Sequence, residues 1–278
     1  MGHALYFPKG YPKFYKDEED KSVILTLTEK LLPEEEASEF AKYYHLGACA
    51  PSKETLDMMT PEKELPKEAA FMPEDYAKIM LGSVYTDYEN GYRVMDNGVA
   101  FVALRTWQEG VTDENMQFFN DHFSPEPADL FYKTWCPGTH MRLYPDLAIE
   151  DMGWGWLEVR ITGFLGKEDF GLPENMEELD PDLIDFQAMN IEVLPLGAPE
   201  GTEPVHLVEA NYFRQTMRGR EIRHRFWIGL NIENGKSAVT AVKDRELAAE
   251  YARKTAYHSG SEFATLARNV LQFWADRH

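Results

Sequence analysis

The sequence is poor in cysteine and in long apolar runs, and each shortage narrows what the protein can be. Its 278 residues include two cysteines, Cys49 and Cys136, too few for the disulfide framework of a small secreted protein. No run of about 18 apolar residues occurs, so we expect no transmembrane helix and no membrane partner. The N-terminal residues lack the apolar core of a signal peptide, which predicts a cytoplasmic protein.

Basic residues are also scarce relative to acidic ones. The chain has 28 lysines and arginines against 48 aspartates and glutamates, a formal net charge of −20. Binding to nucleic acid requires a basic face that displaces counterions from the phosphates, so we predict no nucleic-acid partner. At 44 % hydrophobic and 13 % aromatic residues, the chain has enough apolar side chains to bury a full core.

Residues 1–90 are rich in proline and charged residues and show few strand patterns. Residues 33–45 and 73–81 each begin with a proline followed by acidic side chains, which is typical of a helix start. The proline-punctuated segment 51–71 between them is predicted to be loop. We interpret residues 1–90 as a small, mostly helical or irregular N-terminal domain.

From residue 91 to residue 278 the pattern predicts one α+β domain. Asp96, Asn97 and Gly98 separate two β-rich runs, a strong hairpin signal, and a helix capped by Thr112 is predicted over residues 112–123. The segment before Cys136 is predicted to be a strand, and period-two runs then indicate strands at about 156–166, 205–217 and 221–235.

The last part of the sequence predicts one long helix. Residues 244–274 span 31 positions, or roughly 46 Å at the standard helical rise. Several antiparallel strands followed by a long C-terminal helix indicate a curved sheet wrapped around that helix.

Three short motifs carry residues suited to chemistry. His258 and Glu262 are four residues apart on the predicted helix, so their side chains share one face; imidazole and carboxylate are natural metal ligands, although a surface His–Glu pair has the same spacing. His140 follows a Pro-Gly turn at the end of a predicted strand, where functional residues often lie, and a plain loop histidine is the alternative. In residues 219–227, Arg223 and Arg225 alternate with apolar side chains, which favours a supporting role on a sheet face.

These motifs occur together and in order. They are Tyr-Lys-x-Trp-x-Pro-x-x-His at 132–140, Glu-Asp-x-Gly at 150–153, Glu-x-Phe-Gly at 168–171, Gly-x-Glu-x-Arg-x-Arg-Phe-Trp-x-Gly at 219–229 and His-x-x-x-Glu at 258–262. With them the sequence resembles the 2,4-diacetylphloroglucinol hydrolase and phloretin hydrolase family over roughly residues 115–275.

The resemblance implies a helix-grip (Bet v 1-like) fold and a hydrolase that cleaves the carbon–carbon bond between an acyl carbonyl and a polyhydroxylated aromatic ring. It implies a Zn²⁺ cofactor held by His140, Glu150, His258 and Glu262, with Glu158 and Glu168 as rivals for the position of Glu150. The implied partner is a small aromatic acyl substrate, and a homodimer is left open.

The resemblance also assigns two catalytic side chains. Tyr132 is expected to contact a ring hydroxyl, and His206 to transfer a proton. The alternatives are a tyrosine that only lines the pocket wall and a surface histidine at a strand end. Phe226 and Tyr144 are further predicted substrate-binding side chains.

The sequence departs from the family pattern near the expected pocket mouth. Nine residues separate His140 from Glu150, where the family has a longer insertion. Leu143 stands where the family has a substrate-contacting asparagine, and Phe131 where it often has an arginine. We therefore predict an open pocket that accepts a bulky acyl arm such as the arylpropanoyl group of phloretin, with Tyr144 stacking on that arm.

Two other functions remain open. One is a metal hydrolase of the same fold that acts on another β-diketone or acyl substrate. The other is a non-catalytic module that binds an apolar small molecule in a cavity lined by aromatic side chains.

Overall fold

The structure, a computed structural model, describes residues 31–58, 63–81, 85–126, 129–143, 148–151, 156–178, 180–195 and 203–278. Only the backbone is described for residues 141–143, 148–151, 156–158 and 194–195.

Ten strands are present in this part of the chain. They are β1 Gly91–Val94, β2 Ala100–Glu109, β3 His140–Leu143, β4 Ala148–Asp151, β5 Trp156–Leu165, β6 Leu183–Pro195, β7 Val205–Thr216, β8 Gly219–Ile228, β9 Leu230–Glu233 and β10 Lys236–Val239. The first eight form one antiparallel sheet in the order β1-β2-β8-β7-β6-β5-β4-β3, and β9 pairs with β10.

The helices lie before, within and after this set of strands. They are α1 Pro33–Glu36, α2 Ala41–His45, α3 Lys53–Met58, α4 Tyr76–Met80, α5 Asp113–His122, α6 Asp129–Trp135 and α7 Arg245–Arg277, with 3₁₀ turns at Lys67–Ala69, Pro73–Asp75, Lys167–Phe170 and Met176–Glu178. Of the helices in the described ranges, none combines the length and the apolar character needed to cross a membrane.

Local sequence signals account for several of these elements. The predicted hairpin is confirmed, since β1 and β2 pair antiparallel with Val94 opposite Ala100. The predicted cap of α5 is confirmed, because the Thr112 hydroxyl accepts the N–H of Asn115 at 3.3 Å. The long C-terminal helix is confirmed as well; the Asp244 carboxylate accepts the N–H groups of Glu246 and Leu247 at its start.

Tertiary contacts override local pattern elsewhere. The predicted strand before Cys136 is wrong: this segment is helix α6. Its Lys133 ammonium binds the buried Glu35 carboxylate at 2.8 Å, and its Thr134 carbonyl accepts the amide of Asn269 on α7 at 2.8 Å. These two contacts hold the segment between α1 and α7 in a helical form that its apolar pattern does not indicate.

Two further expectations for the N-terminal region need correction. Residues 33–45 form the two short helices α1 and α2 instead of one helix, and the predicted loop at 51–71 contains α3 and a 3₁₀ turn. Strand β6, at 13 residues one of the longest in the sheet, was not among the predicted elements.

The sheet has two buried faces, which we call inner and outer. On the inner face, β-strand side chains pack with α7 in a cluster that includes Val102, Leu104, Ile191, Leu207, Phe226, Tyr251, Ala252 and Ala256. The alternate side chains point to the outer face, where Phe101 and Trp227 pack against Phe71, Tyr76 and Phe170. The period-two alternation of the strands therefore separates two apolar layers.

Helix α7 meets both edges of the sheet. At its start, Arg245 donates to the Val94 carbonyl of β1 at 2.9 Å. At the other edge, His140 of β3 contacts His258 of α7, with 3.2 Å between their Nε2 atoms. Because both edge strands reach the same helix, the sheet curves around it, as the sequence pattern predicts.

Candidate metal centre

The curvature of the sheet brings together two of the predicted ligands, His140 and His258. His140 is the first residue of β3 and follows a tight turn in which its N–H and that of Thr139 both bond the Cys136 carbonyl at 3.1 Å. The two imidazoles have exposed fractions of only 1 % and 3 %. A pair of histidines this deeply buried needs a specific reason to be there.

The imidazole of His140 is oriented by Tyr132. Its Nδ1 donates to the Tyr132 carbonyl at 2.9 Å, and the two rings stack with centroids 3.9 Å apart and 7° between their planes. With the proton on Nδ1, the lone pair of Nε2 points towards His258. Such a fixed tautomer is the usual state of a metal-ligating histidine.

Burial keeps both imidazoles neutral. Desolvation lowers the pKa of His140 to about 3, although the bond to the Tyr132 carbonyl opposes this shift. The pKa of His258 lies well below its ordinary value, first because of burial and then because of the neighbouring His140. Neutral imidazole is the form that binds a metal ion.

Two more donors surround the histidine pair. The thiol sulfur of buried Cys136 lies within 4.8 Å of the ligand nitrogens of both histidines. A carboxylate oxygen of Glu262 is 3.6 Å from His258 Nε2, which confirms that the i, i+4 spacing places these side chains on one face of α7. Imidazole, carboxylate and thiolate are the donors that zinc takes in proteins, so the residues fit a metal ion of this type.

The carboxylate predicted to complete this set lies on the strand beside His140. Glu150 belongs to β4, and its backbone pairs with that of Arg142 on β3, next to the pair His140–Asp151. The side chains of Glu150 and Glu158 are outside the described part of the structure, as is the whole of Tyr144. Glu168 is exposed in a 3₁₀ turn whose Phe170 packs on the outer face, so the structure does not bring this rival to the histidines.

His206 is not brought to the histidine pair either. Val205 and Leu207 pack on the inner face of β7, so the side chain between them points to the outer face. There its Nδ1 lies 3.8 Å from the carboxylate of Glu192, its partner across β6 and β7. The structure therefore places His206 near the end of β7 on the outer face, beside Glu192 and not beside the histidine pair.

The remaining residues lie beside His140 or on one of the two faces of the sheet. Tyr132 is nearly buried against His140, and Phe226 is fully buried in the inner cluster. Arg223 and Arg225 lie on the outer face, where both bind the buried carboxylate of Glu89, at 2.7 and 2.8 Å. The arginines therefore support the sheet, as the sequence pattern indicates.

Three residues with unusual environments were absent from the predicted site. Besides Cys136, they are Lys254, buried one helical turn before His258, and Glu209, half-buried on the inner side of β7. Burial lowers the pKa of Lys254 to about 8, partly opposed by its 2.8 Å ion pair with Glu250. Each of these two residues has a sequence signal. Lys254 belongs to the i, i+4 series 250–254–258–262 on α7, and Glu209 shares the period-two alternation of β7 with the inward-pointing Leu207.

Comparison with known proteins gives a family match. A family model described as the DAPG hydrolase PhiG domain matches residues 73–274, a span that covers most of the chain and includes Cys136, His140, His258 and Glu262. A search of curated proteins finds no significant match.

Proposed function

Because the chain belongs to the DAPG hydrolase PhiG domain family, we propose that it is a zinc-dependent hydrolase of acylated polyhydroxybenzenes. In this proposal it cleaves the carbon–carbon bond between the acyl carbonyl and the ring. The buried pair His140–His258, with Glu262 and Cys136 beside it, supports this proposal. DAPG is a diacylated trihydroxybenzene, which gives the substrate class.

In the proposed site, His140, His258 and Glu262 hold the metal ion together with Glu150 from the adjacent strand β4. When bound, a zinc ion supplies a water of lowered pKa and polarises a carbonyl oxygen. Cys136 lies close enough to the histidines to compete for the fourth ligand position. A fixed set of buried, neutral or anionic donors is what such an ion requires.

Cleavage of this carbon–carbon bond also requires a ring carbon that can act as a leaving group. A ring carbon cannot leave as a free carbanion, so it has to be protonated before the carbon–carbon bond breaks. A polyhydroxylated ring makes this possible because its keto tautomer carries the proton on carbon. The acyl group is then part of a β-diketone, which is open to attack by water.

Tyr132 is placed to orient such a ring. Its own ring is held parallel to that of His140, so its hydroxyl has a fixed position relative to the metal ligands. We propose that this hydroxyl bonds a ring hydroxyl of the substrate, and that Phe226 forms part of the apolar wall. A rigid aromatic side chain with one polar end suits both tasks.

The curved sheet gripping α7 supports the further proposal of a helix-grip fold. The catalytic domain then comprises residues 91–278, with residues 1–90 as a smaller N-terminal part. In the described portion of that part, α2 contributes Tyr43 and Tyr44 to a cluster with Val270 and Phe273 of α7, which ties it to the far end of the catalytic helix.

A turnover screen tests the proposed reaction. Phloretin, monoacetylphloroglucinol and diacetylphloroglucinol are incubated with the zinc-loaded protein and with the same protein after chelation, and the released carboxylic acid and ring product are identified by mass. We expect release of both products from at least one substrate in the zinc-loaded sample alone. Absence of cleavage with all three substrates would overturn the proposed substrate class.

A further inference from the structure

A chain of hydrogen bonds runs across three adjacent strands on the inner face of the sheet. The Thr106 hydroxyl of β2 lies 2.9 Å from His224 Nε2 on β8, and His224 Nδ1 lies 2.7 Å from the Asn211 side-chain oxygen on β7. The Asn211 amide nitrogen in turn donates to the Glu209 carboxylate at 2.7 Å. The first three side chains are buried, whereas Glu209 is half-buried.

This chain has one direction. Burial, reinforced by the charge of Arg225, lowers the pKa of His224 to about 3, so its imidazole is neutral and carries one proton. The Asn211 oxygen needs a donor, which places that proton on Nδ1 and leaves Nε2 to accept from the Thr106 hydroxyl. Every donor therefore points along the chain towards Glu209, whose carboxyl group is the terminal acceptor.

Glu209 points to the inner face of the sheet, the face on which α7 packs, and α7 carries His258 and Glu262. Its neighbour Leu207 packs in the inner cluster with Ala252 and Ala256 of α7, whereas His224, opposite Asn211, contacts the ring of Phe263 on the same helix at 4.7 Å. Glu209 is between these two points on β7, as His258 and Glu262 are on α7.

The surroundings of Glu209 suit a group that exchanges protons. Its neighbours across the sheet are apolar: Met189 on β6 and Phe226 on β8. Burial raises the pKa of Glu209 to about 7, although the bond from Asn211 opposes the shift. At neutral pH the carboxyl group can therefore both give and take a proton.

We propose that Glu209 delivers the proton to the acyl-bearing ring carbon, and that Thr106, His224 and Asn211 position its carboxyl group. This inference rests on the proposed function. Glu209 takes the role that the sequence resemblance assigned to His206, which the structure places on the outer face.

The atom and proton balance of the proposed reaction needs only the substrate, water and the carboxyl group of Glu209. The carboxyl proton of Glu209 moves to the ring carbon, which forms its new C–H bond with the electron pair of the ring, and a ring hydroxyl releases its proton to the carboxylate. Water then adds its oxygen to the acyl carbon, the carbon–carbon bond breaks, and that electron pair returns to the ring as an enolate. The proton lost by the water neutralises the enolate oxygen, which gives a carboxylic acid and a phenol.

Other titratable groups are buried or half-buried on α7, on the inner face of the sheet or at the candidate metal centre. They are Tyr132, Cys136, His140, His224, Glu250, Tyr251, Lys254, His258 and Glu262. A change of pH acts on several of these groups, so a profile of the wild type alone cannot assign a limb to Glu209. The comparison of wild type with Glu209→Gln isolates this carboxyl group, because glutamine keeps the volume and still accepts from Asn211.

The test compares Glu209→Gln with the matched control Glu192→Gln, which removes a carboxylate from the outer face of β6. Zinc content, hydrolysis from pH 5 to 9 and incorporation of deuterium from D₂O into the ring of phloroglucinol are measured for both. We expect Glu209→Gln to keep its zinc, to lose hydrolysis by about 10²–10⁴-fold and to lose enzyme-catalysed ring deuteration. The wild-type limb in kcat/KM near pH 7 should disappear in this variant, and Glu192→Gln should match wild type throughout.

The positioning role is tested with Thr106→Val, which removes one hydroxyl at nearly constant volume. We expect kcat to fall and the pH limb to move, with little change in KM.

Ring deuteration separates the role of Glu209 from the proposed function, since it requires proton delivery but no hydrolysis. If wild type and Glu209→Gln hydrolyse the substrate at equal rates, the role of Glu209 is overturned and the proposed function stands. If wild type deuterates the ring but cleaves no substrate, the proposed function alone is overturned. A wild type that does neither would overturn both.

Discussion

Replacement of Glu89 by glutamine removes the charge at the centre of a buried ion cluster on the outer face. The Glu89 carboxylate accepts from Arg223 at 2.7 and 3.1 Å, from Arg225 at 2.8 Å, and from the N–H and hydroxyl of Thr86 at 2.7 and 2.8 Å. Both arginine side chains are at most 1 % exposed. Glutamine keeps the volume but leaves two buried guanidinium groups without their shared counter-charge.

The expected loss is large because such charges cannot return to water. Breaking a buried pair by removing one partner costs about 3–5 kcal/mol in free energy of unfolding, a large part of the stability of an ordinary domain. The matched control is Glu109→Gln, whose partner Arg218 is exposed; loss of a surface pair costs about 0–1 kcal/mol.

Urea unfolding, followed by tryptophan fluorescence and circular dichroism, measures both variants. Glu89→Gln should lower the midpoint strongly at an unchanged slope, and Glu109→Gln should leave it nearly unchanged. The arginines hold the pKa of Glu89 below its ordinary value, so the stabilisation is present above the unfolded-state pKa and is lost as the pH falls towards the folded-state value. A loss below about 1 kcal/mol for Glu89→Gln would show that the buried arginines do not depend on the Glu89 charge.

Three further predictions concern the proposed site. Tyr132→Phe keeps the ring that stacks on His140 and removes one hydroxyl, so zinc should stay while turnover falls by about 10²–10⁴-fold; an unchanged rate would make Tyr132 a pocket wall. If Cys136 contributes its sulfur to the metal, the Co²⁺-loaded protein should show a near-ultraviolet thiolate charge-transfer band that is absent in Cys136→Ser, and identical spectra would exclude the sulfur as a ligand. The short connection between His140 and Glu150 should favour a bulky acyl arm, so kcat/KM should be higher for phloretin than for monoacetylphloroglucinol, and the reverse order would contradict an open pocket.

Local sequence signals predicted the elements that depend on local chemistry. The Asn97-Gly98 turn fixes the β1–β2 hairpin, and the i, i+4 spacing alone places His258 and Glu262 on one face of α7. The alternation of β7 also carried a signal, because the inward Leu207 determines that His206 points outward and Glu209 inward. The family resemblance gave the proton-transfer role to His206, although the alternation of β7 points this side chain outward.

Other features arise only from contacts between distant parts of the chain. Glu89 and Arg223 are 134 residues apart in sequence, and no local pattern pairs them. The helical form of α6 depends on Glu35 and Asn269, which lie in other helices. Cys136 has no spacing relation to His258; the turn before β3 and the curvature of the sheet bring the two together.

The metal content of the purified protein is the most direct test of a zinc site at His140 and His258. Inductively coupled plasma mass spectrometry is applied to wild type, to His258→Ala and to the outer-face control His206→Ala, all exchanged into metal-free buffer after zinc loading. We predict about one zinc per chain in wild type and in His206→Ala, and almost none in His258→Ala. Equal zinc in wild type and His258→Ala, or no zinc in any of the three, would contradict a zinc site at these residues.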